Sequence, residues 1–176
     1  MRLHPLAPAV LAATISASPA LAAGVKINDL VIGAPLPKPQ QAAAIKAATA
    51  FYDFWNTGDK RSLDAAISPT FIDHTLPAGR PQGPRGPAFA SANFRKAVPD
   101  LGVEVEKMVV AGDYITVHMI FRGHFTGMFG SVAGHGQDVK FIATDLIRVR
   151  DGRVTDNWHL EDNLTFFQQA GLVPAP

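Results

Sequence analysis

Four stretches in the second half of the chain, residues 102–110, 114–124, 139–150 and 153–160, alternate apolar with polar side chains and are rich in Val and Ile. Period two sustained over that length marks strands with one buried face. Ala111-Gly112-Asp113 and Asp151-Gly152 leave room only for tight turns, and Asp-Gly is a strong hairpin signal. A meander of this kind needs a cover for its apolar face, and the first half of the chain supplies it. Residues 41–55 place Ile45, Ala48, Phe51, Tyr52 and Trp55 at helical spacing. Asn56-Thr57-Gly58-Asp59 stops that helix and caps a second over 60–67. Residues 88–98 read as a third helix, closed by Pro99, and 69–74 as a short strand. Residues 76–87, with three glycines and four prolines, read as a loop, and Gly-rich 123–136 joins the second and third long strands. Helices first and antiparallel strands second predict an α+β fold.

Lys and Arg number 16 against 15 Asp and Glu, with no basic block and no Gly-rich phosphate loop. That balance argues against nucleic acid as a partner. Residues 1–22 have the layout of a signal peptide: Arg2, an apolar run over 6–15, and the small residues Ala20 and Ala22 before the expected cut. The run is about half of the ~20 residues a membrane span needs, so no stable membrane insertion is expected. This leader predicts an exported protein, periplasmic or secreted, and the lack of Cys is compatible with an oxidising compartment. Residues 23–40, with Pro35, Pro37 and Pro39, read as a linker, leaving 41–173 as one domain.

The run Trp158-His159-Leu160-Glu161-Asp162 leads directly into Asn163-Leu164-Thr165-Phe166-Phe167. Strand alternation puts Trp158, Leu160 and Asp162 on one face. Asp162 is then either the N-cap of a last short helix or an acid/base carboxylate in an apolar pocket. His118, Arg122 and His124 follow one another at period two, and His74 ends an apolar strand before a Pro/Gly loop. His159 and His135 read as solvated, and no His-x-x-x-His or His-Glu-x-x-His spacing supports a metal site.

Several short motifs in order resemble the SnoaL-like polyketide cyclases, a branch of the nuclear-transport-factor-2-like superfamily. They are Phe51-Tyr52-Asp53-Phe54-Trp55-Asn56-Thr57-Gly58-Asp59, Phe71-Ile72-Asp73-His74, Gly83-Pro84-Arg85-Gly86 and Val109-Val110-Ala111-Gly112-Asp113. Arg122-Gly123-His124-Phe125-Thr126-Gly127, Asp151-Gly152-Arg153-Val154, Trp158 with Asp162, and Gln169-Ala170-Gly171 complete the set. The resemblance spans about residues 42–173 and implies a cone-shaped barrel, a bent antiparallel sheet around three helices with a pocket at its open end. It implies ring-closing aldol chemistry without cofactor or metal on a small hydrophobic molecule, and a homodimer joined through the outer sheet face. By position it makes Asp162 the acid/base carboxylate, with His124 and His74 as polar companions. Trp158, Phe125, Phe54 and Trp55 are the candidate pocket wall. An exported relative need not share the family's substrate, so a binding module for small apolar ligands stands as the alternative. Asp73, Asp145 and Arg148 raise the Asp-Arg-Asp hydrolases of related folds. Residues 145 and 148 fall on opposite faces of a regular strand, which counts against that reading.

Overall fold

The computed structural model describes residues 24–34 and 36–174. The expected leader over 1–22 lies outside the described residues. Four helices, α1 (Lys38–Thr57), α2 (Lys60–Ala66), α3 (Arg85–Ala97) and α4 (Asn163–Gln169), accompany eight strands. β1 (Leu30–Ala34), β2 (Ile67–Asp73), β3 (Gly102–Ala111), β4 (Tyr114–Phe125), β7 (Gln137–Arg150) and β8 (Arg153–Glu161) form one sheet in the order β1-β3-β4-β7-β8-β2. The central four are antiparallel neighbours, and β1 and β2 join the edges in parallel with β3 and β8. β5 (Met128–Phe129) and β6 (Val132–Ala133) make a small hairpin within the Gly-rich connection. The architecture is α+β, with three N-terminal helices and a short C-terminal one; the main sheet has six strands rather than five, edge strand β1 being the addition, and β5–β6 stand apart. Among the described residues, no helix is long and apolar enough to cross a membrane.

The segment read as a linker contributes structure. Val105 N–H donates to Lys26 O and Asn28 N–H to Val105 O, and β1 then continues alongside β3. Pro39 lies in the first turn of α1, where a missing N–H costs no helical hydrogen bond. The helix signals that rest on caps are met: Gly58 ends α1 at φ 75°, and Asp59 caps α2 through Arg61 N–H. Asp151 and Gly152 both have positive φ, the turn that Asp-Gly favours between β7 and β8.

β7 alternates without interruption, burying Val139, Phe141, Ala143, Asp145, Ile147 and Val149. β3 and β8 each carry one extra residue. Pairing shifts between Val105 and Lys107 and, on β8, between Val154 and Asp156. Such bulges bend a strand and reverse which residues face inward. On β8 the extra residue is Thr155. Val154 is buried before it, and Asn157 and His159 are buried after it. The face carrying Trp158 and Leu160 therefore turns outward, and Leu160 is 77% exposed. The inner face of the sheet closes over Phe51, Tyr52 and Phe54 of α1, which anchor the core.

Candidate active site

Between α1, α3 and the inner sheet face lies a cavity of about 300 Å³. One side is aromatic: Phe51 and Trp55 from α1, Phe94 from α3, Phe121 from β4, Phe141 from β7 and Phe167 from α4. Phe121 and Phe141 stack with centroids 5.1 Å apart, and Trp55 stands edge-on to Phe121 at 6.3 Å. The other side is polar, lined by Asp73, Arg80, Asp145, Asn157, His159 and Glu161.

The bulge at Thr155 builds this polar side, because it turns Asn157, His159 and Glu161 inward together. His159 then stands directly opposite Asp145 across the β7–β8 pair, a spacing that lets side chains interact. Its imidazole sits between two carboxylates. Nδ1 is 2.8 Å from Glu161 Oε1, and Nε2 is 3.1 Å from both oxygens of Asp73. Burial alone would lower its proton affinity, but Glu161 and then Asp73 outweigh that and raise the pKa to about 9. At neutral pH it is an imidazolium with both N–H groups committed. Burial likewise opposes ionisation of Glu161, yet the bond from His159 holds its carboxyl below the usual range.

Asp73 ends β2 and is fixed from several sides. Its N–H donates to Gln82 Oε1 at 2.8 Å, and Gln82 Nε2 returns a bond to Asp73 O at 2.8 Å. Thr75 N–H donates to Asp73 Oδ1, and His159 N–H to Thr75 Oγ1. Arg80, on the loop so anchored, places Nη1 3.4 Å from Asp73 Oδ2.

Asp145 is the charged position in an otherwise apolar strand face. Burial drives its pKa up to about 7; the positive His159 opposes the rise and Glu161 adds to it. The Tyr52 hydroxyl donates to its Oδ2 at 3.2 Å, and burial pushes that phenol well above its ordinary value, so Tyr52 stays a donor. An acid/base group poised near neutrality against an aromatic wall can take up and release a proton within the working range. Among the described residues, no group of His, Asp and Glu side chains has the arrangement of a metal site.

The expected site residues fall mostly elsewhere. Trp55 lines the cavity. Asp162 does not: it caps α4, accepting from Thr165 N–H at 3.0 Å and Thr165 Oγ1 at 2.6 Å, and those bonds hold its carboxyl below the usual range. His124 is on the surface between Asp100 and Asp138. His74 stacks on Trp158 at 4.1 Å and bonds Asp156, on the outer side of β8. Phe125 and Phe54 are buried in the core but do not line the cavity. The bulge is the physical reason for the shift of Trp158 and Asp162: counted from Val154 by twos they face inward, and one extra residue turns them out. The same step buries His159, which alternation alone left in solvent. Asp145 had a visible signal, a carboxylate in phase with five apolar neighbours.

A family model for SnoaL-like polyketide cyclases matches residues 45–170. The chain belongs to that family. A candidate polyketide cyclase from Bacillus cereus is 38% identical, superposing with a TM-score of 0.78 over 87% of this chain and 97% of that one. IdmH, a candidate polyketide cyclase from Streptomyces antibioticus, is 26% identical, with a TM-score of 0.65 over 73% of this chain and 98% of its own. A protein of ketosteroid isomerase-like fold from Catenulispora acidiphila, 19% identical with a TM-score of 0.57 over 72% of this chain and 92% of that one, shares the fold. No functionally curated protein gives a significant match.

Proposed function

We propose that this SnoaL-like protein is a cofactor-free acid/base enzyme of the cyclase or isomerase type, acting on a small hydrophobic carbonyl compound, with Asp145 as the proton carrier. The observation that carries the reading is a buried carboxylate with its pKa near 7, facing an aromatic wall. In the ring-closing version, Asp145 as carboxylate takes a proton from carbon next to a carbonyl. The resulting enolate carbon attacks a second carbonyl of the same molecule, and Asp145 returns the proton to the new alkoxide. Isomerisation uses the same first step and returns the proton to a different carbon. Tyr52 holds the carboxyl in place, and the His159 imidazolium across the strand pair favours its ionised form. The same reading has the mature protein exported and paired through the outer sheet face, where Ile72, Ile142, Leu146 and Leu160 are exposed. A monomer in light scattering would contradict the pairing.

The test is exchange of α-carbon hydrogen for deuterium in small hydrophobic 1,3-dicarbonyl compounds, followed by NMR in heavy water. Wild type should accelerate exchange, and Asp145→Asn should lose about 100- to 10,000-fold of that rate, the usual weight of a general base. Exchange that survives Asp145→Asn sinks the assignment. Binding of these compounds by wild type without exchange would make the protein a binding module instead.

A further inference from the structure

Two cations face the cavity, and they differ in what they have left to give. His159 spends both N–H groups, one on Glu161 and one on Asp73. Arg80 is four-fifths buried, with its side chain 18% exposed, and its guanidinium carries five N–H donors. Among the described residues, only Nη1 is engaged, through one long 3.4 Å bond to Asp73. That same Nη1 lies 3.3 Å from His159 Nε2, which as an imidazolium has no lone pair to accept with. Asp73 is already committed to His159 and to Thr75 N–H. Nε and Nη2 of Arg80 therefore remain unspent at the polar side of an otherwise aromatic cavity.

The charges point the same way. Asp73 and Glu161 are offset by His159 and Arg80, and Asp145 is neutral when it holds the proton. In the acid/base reading, the proton reaches Asp145 as negative charge appears on the substrate oxygen. That oxygen needs a charged donor; the imidazolium has none free, Tyr52 and Asn157 are both directed at Asp145, and Asn163 offers only a neutral amide. The guanidinium remains, and it is the side chain best suited to a planar oxyanion.

We propose that Arg80 is the oxyanion-binding residue of this cavity and that the substrate is a planar, one- or two-ring compound with an acidic enol or phenol oxygen. The size follows from the cavity of about 300 Å³, at the lower end of the roughly 300–1,000 Å³ range of ligand sites. The planarity follows from the stacked and edge-on rings of Phe121, Phe141 and Trp55. The oxygen is ionised or ionisable because Arg80 is the cation on this lining whose donors are not already committed.

The inference rests on the acid/base reading for its chemistry but is tested by binding alone. The probes are 4-nitrophenol, whose phenolate has its own visible band, and 4-nitroanisole, which differs by one added methyl group and cannot ionise. Near pH 6, where the free probe is mainly neutral, wild type should bind the first as phenolate, so that the phenolate band grows on binding, and at least about tenfold tighter than the second, equivalent to about 1.4 kcal/mol. Arg80→Met should keep the neutral probe and lose both the preference and the phenolate band. Where the Met variant loses the neutral probe too, Arg80→Lys decides: a smaller preference supports the proposal and an unchanged one overturns it. Nitrophenol bound in its neutral form, equal affinity for both probes, no binding of either by wild type, or a phenolate band that survives Arg80→Met also overturns it. Asp145→Asn separates the two readings, since it should abolish exchange and leave phenolate binding intact.

Discussion

Among the described residues, a histidine lies between two carboxylates twice, once in the interior and once on the surface. His159 lies between Glu161 and Asp73 with its side chain 5% exposed; His124 lies between Asp100 and Asp138 with its side chain 55% exposed. Both imidazoles gain proton affinity from their partners. Around His124, water screens the charges, and no other group registers them. Around His159 the interior transmits them, so that an ionisable neighbour, Asp145, is poised by burial and by what faces it across the sheet. The same constellation is a surface ornament in one place and the electrostatic frame of a cavity in the other. Burial makes the difference, and for His159 a single bulge residue on β8 supplies it.

Removing each imidazole breaks the comparison most directly. His159→Gln leaves Asp73 and Glu161 without their shared cation in a poorly solvated place, and loss of one partner from a buried ionic network costs about 3–5 kcal/mol. Denaturant unfolding at pH 7 should show a loss of that order. His124→Gln should leave the midpoint where it is. Equal effects at the two sites would mean that burial does not separate them.

The next effect is a pH dependence with two steps. Asp145 ionises at about 4 when unfolded and at about 7 when folded. Between those values the unfolded chain releases a proton that the folded one keeps, so stability falls as pH rises and stays lowered above pH 7. Asp145→Asn abolishes that step and should be the more stable protein at pH 8, by about 4 kcal/mol at most. His159 binds its proton up to about pH 9 when folded and to about 6.5 when unfolded. Its contribution is complete below about pH 6.5 and disappears as pH rises through 9. His159→Gln should flatten that upper window and, by removing the cation that opposes the rise at Asp145, extend the lower window to higher pH. Thermal melts of wild type and both variants from pH 4 to 10 would show whether the windows separate; a single shared step would mean that the two groups titrate as one.

The fold was legible because its strongest signals are local. Alternation over 139–150, the Asp151-Gly152 turn and the stop-and-cap at Gly58-Asp59 each need only their own neighbours. The family motifs then joined the pieces. The site was less legible because it depends on phase. Asp145 could be found from β7 alone, since no bulge interrupts its alternation. His159 and Glu161 could not, because the extra residue at Thr155 is defined only by pairing with Arg148 and Val149 on the next strand. Arg80 is harder still, a loop residue whose position depends on Gln82 clasping the end of β2. Asp162 was ambiguous between cap and catalyst, and its bonds to Thr165 satisfy it as a cap.

Two smaller measurements sharpen the contrast between the faces. The protein has two tryptophans, Trp55 on the cavity wall and Trp158 on the outer face against His74. Quenching of tryptophan fluorescence by 4-nitrophenol should persist in Trp158→Phe and largely vanish in Trp55→Phe. The reverse pattern would put the probe on the outer sheet face.

The smallest expected effect is at His124. Asp100 supplies the main increase in its proton affinity, through the side-chain bond to Nδ1, with Asp138 adding less. In Asp100→Asn, NMR titration of the imidazole should move toward the ordinary histidine value, and salt should produce part of the same change in wild type. The unfolding midpoint should not move with it. An exposed pair can shift a titration without holding the fold, since both states of the ring remain well solvated. If Asp100→Asn does lower the midpoint, the cause lies in its second bond, from the His124 backbone N–H to Asp100 Oδ1. His124→Ala, which keeps that backbone donor and removes the ring, distinguishes the two: an unchanged midpoint there assigns the loss to the backbone bond, and a lowered one makes the surface imidazole structural after all.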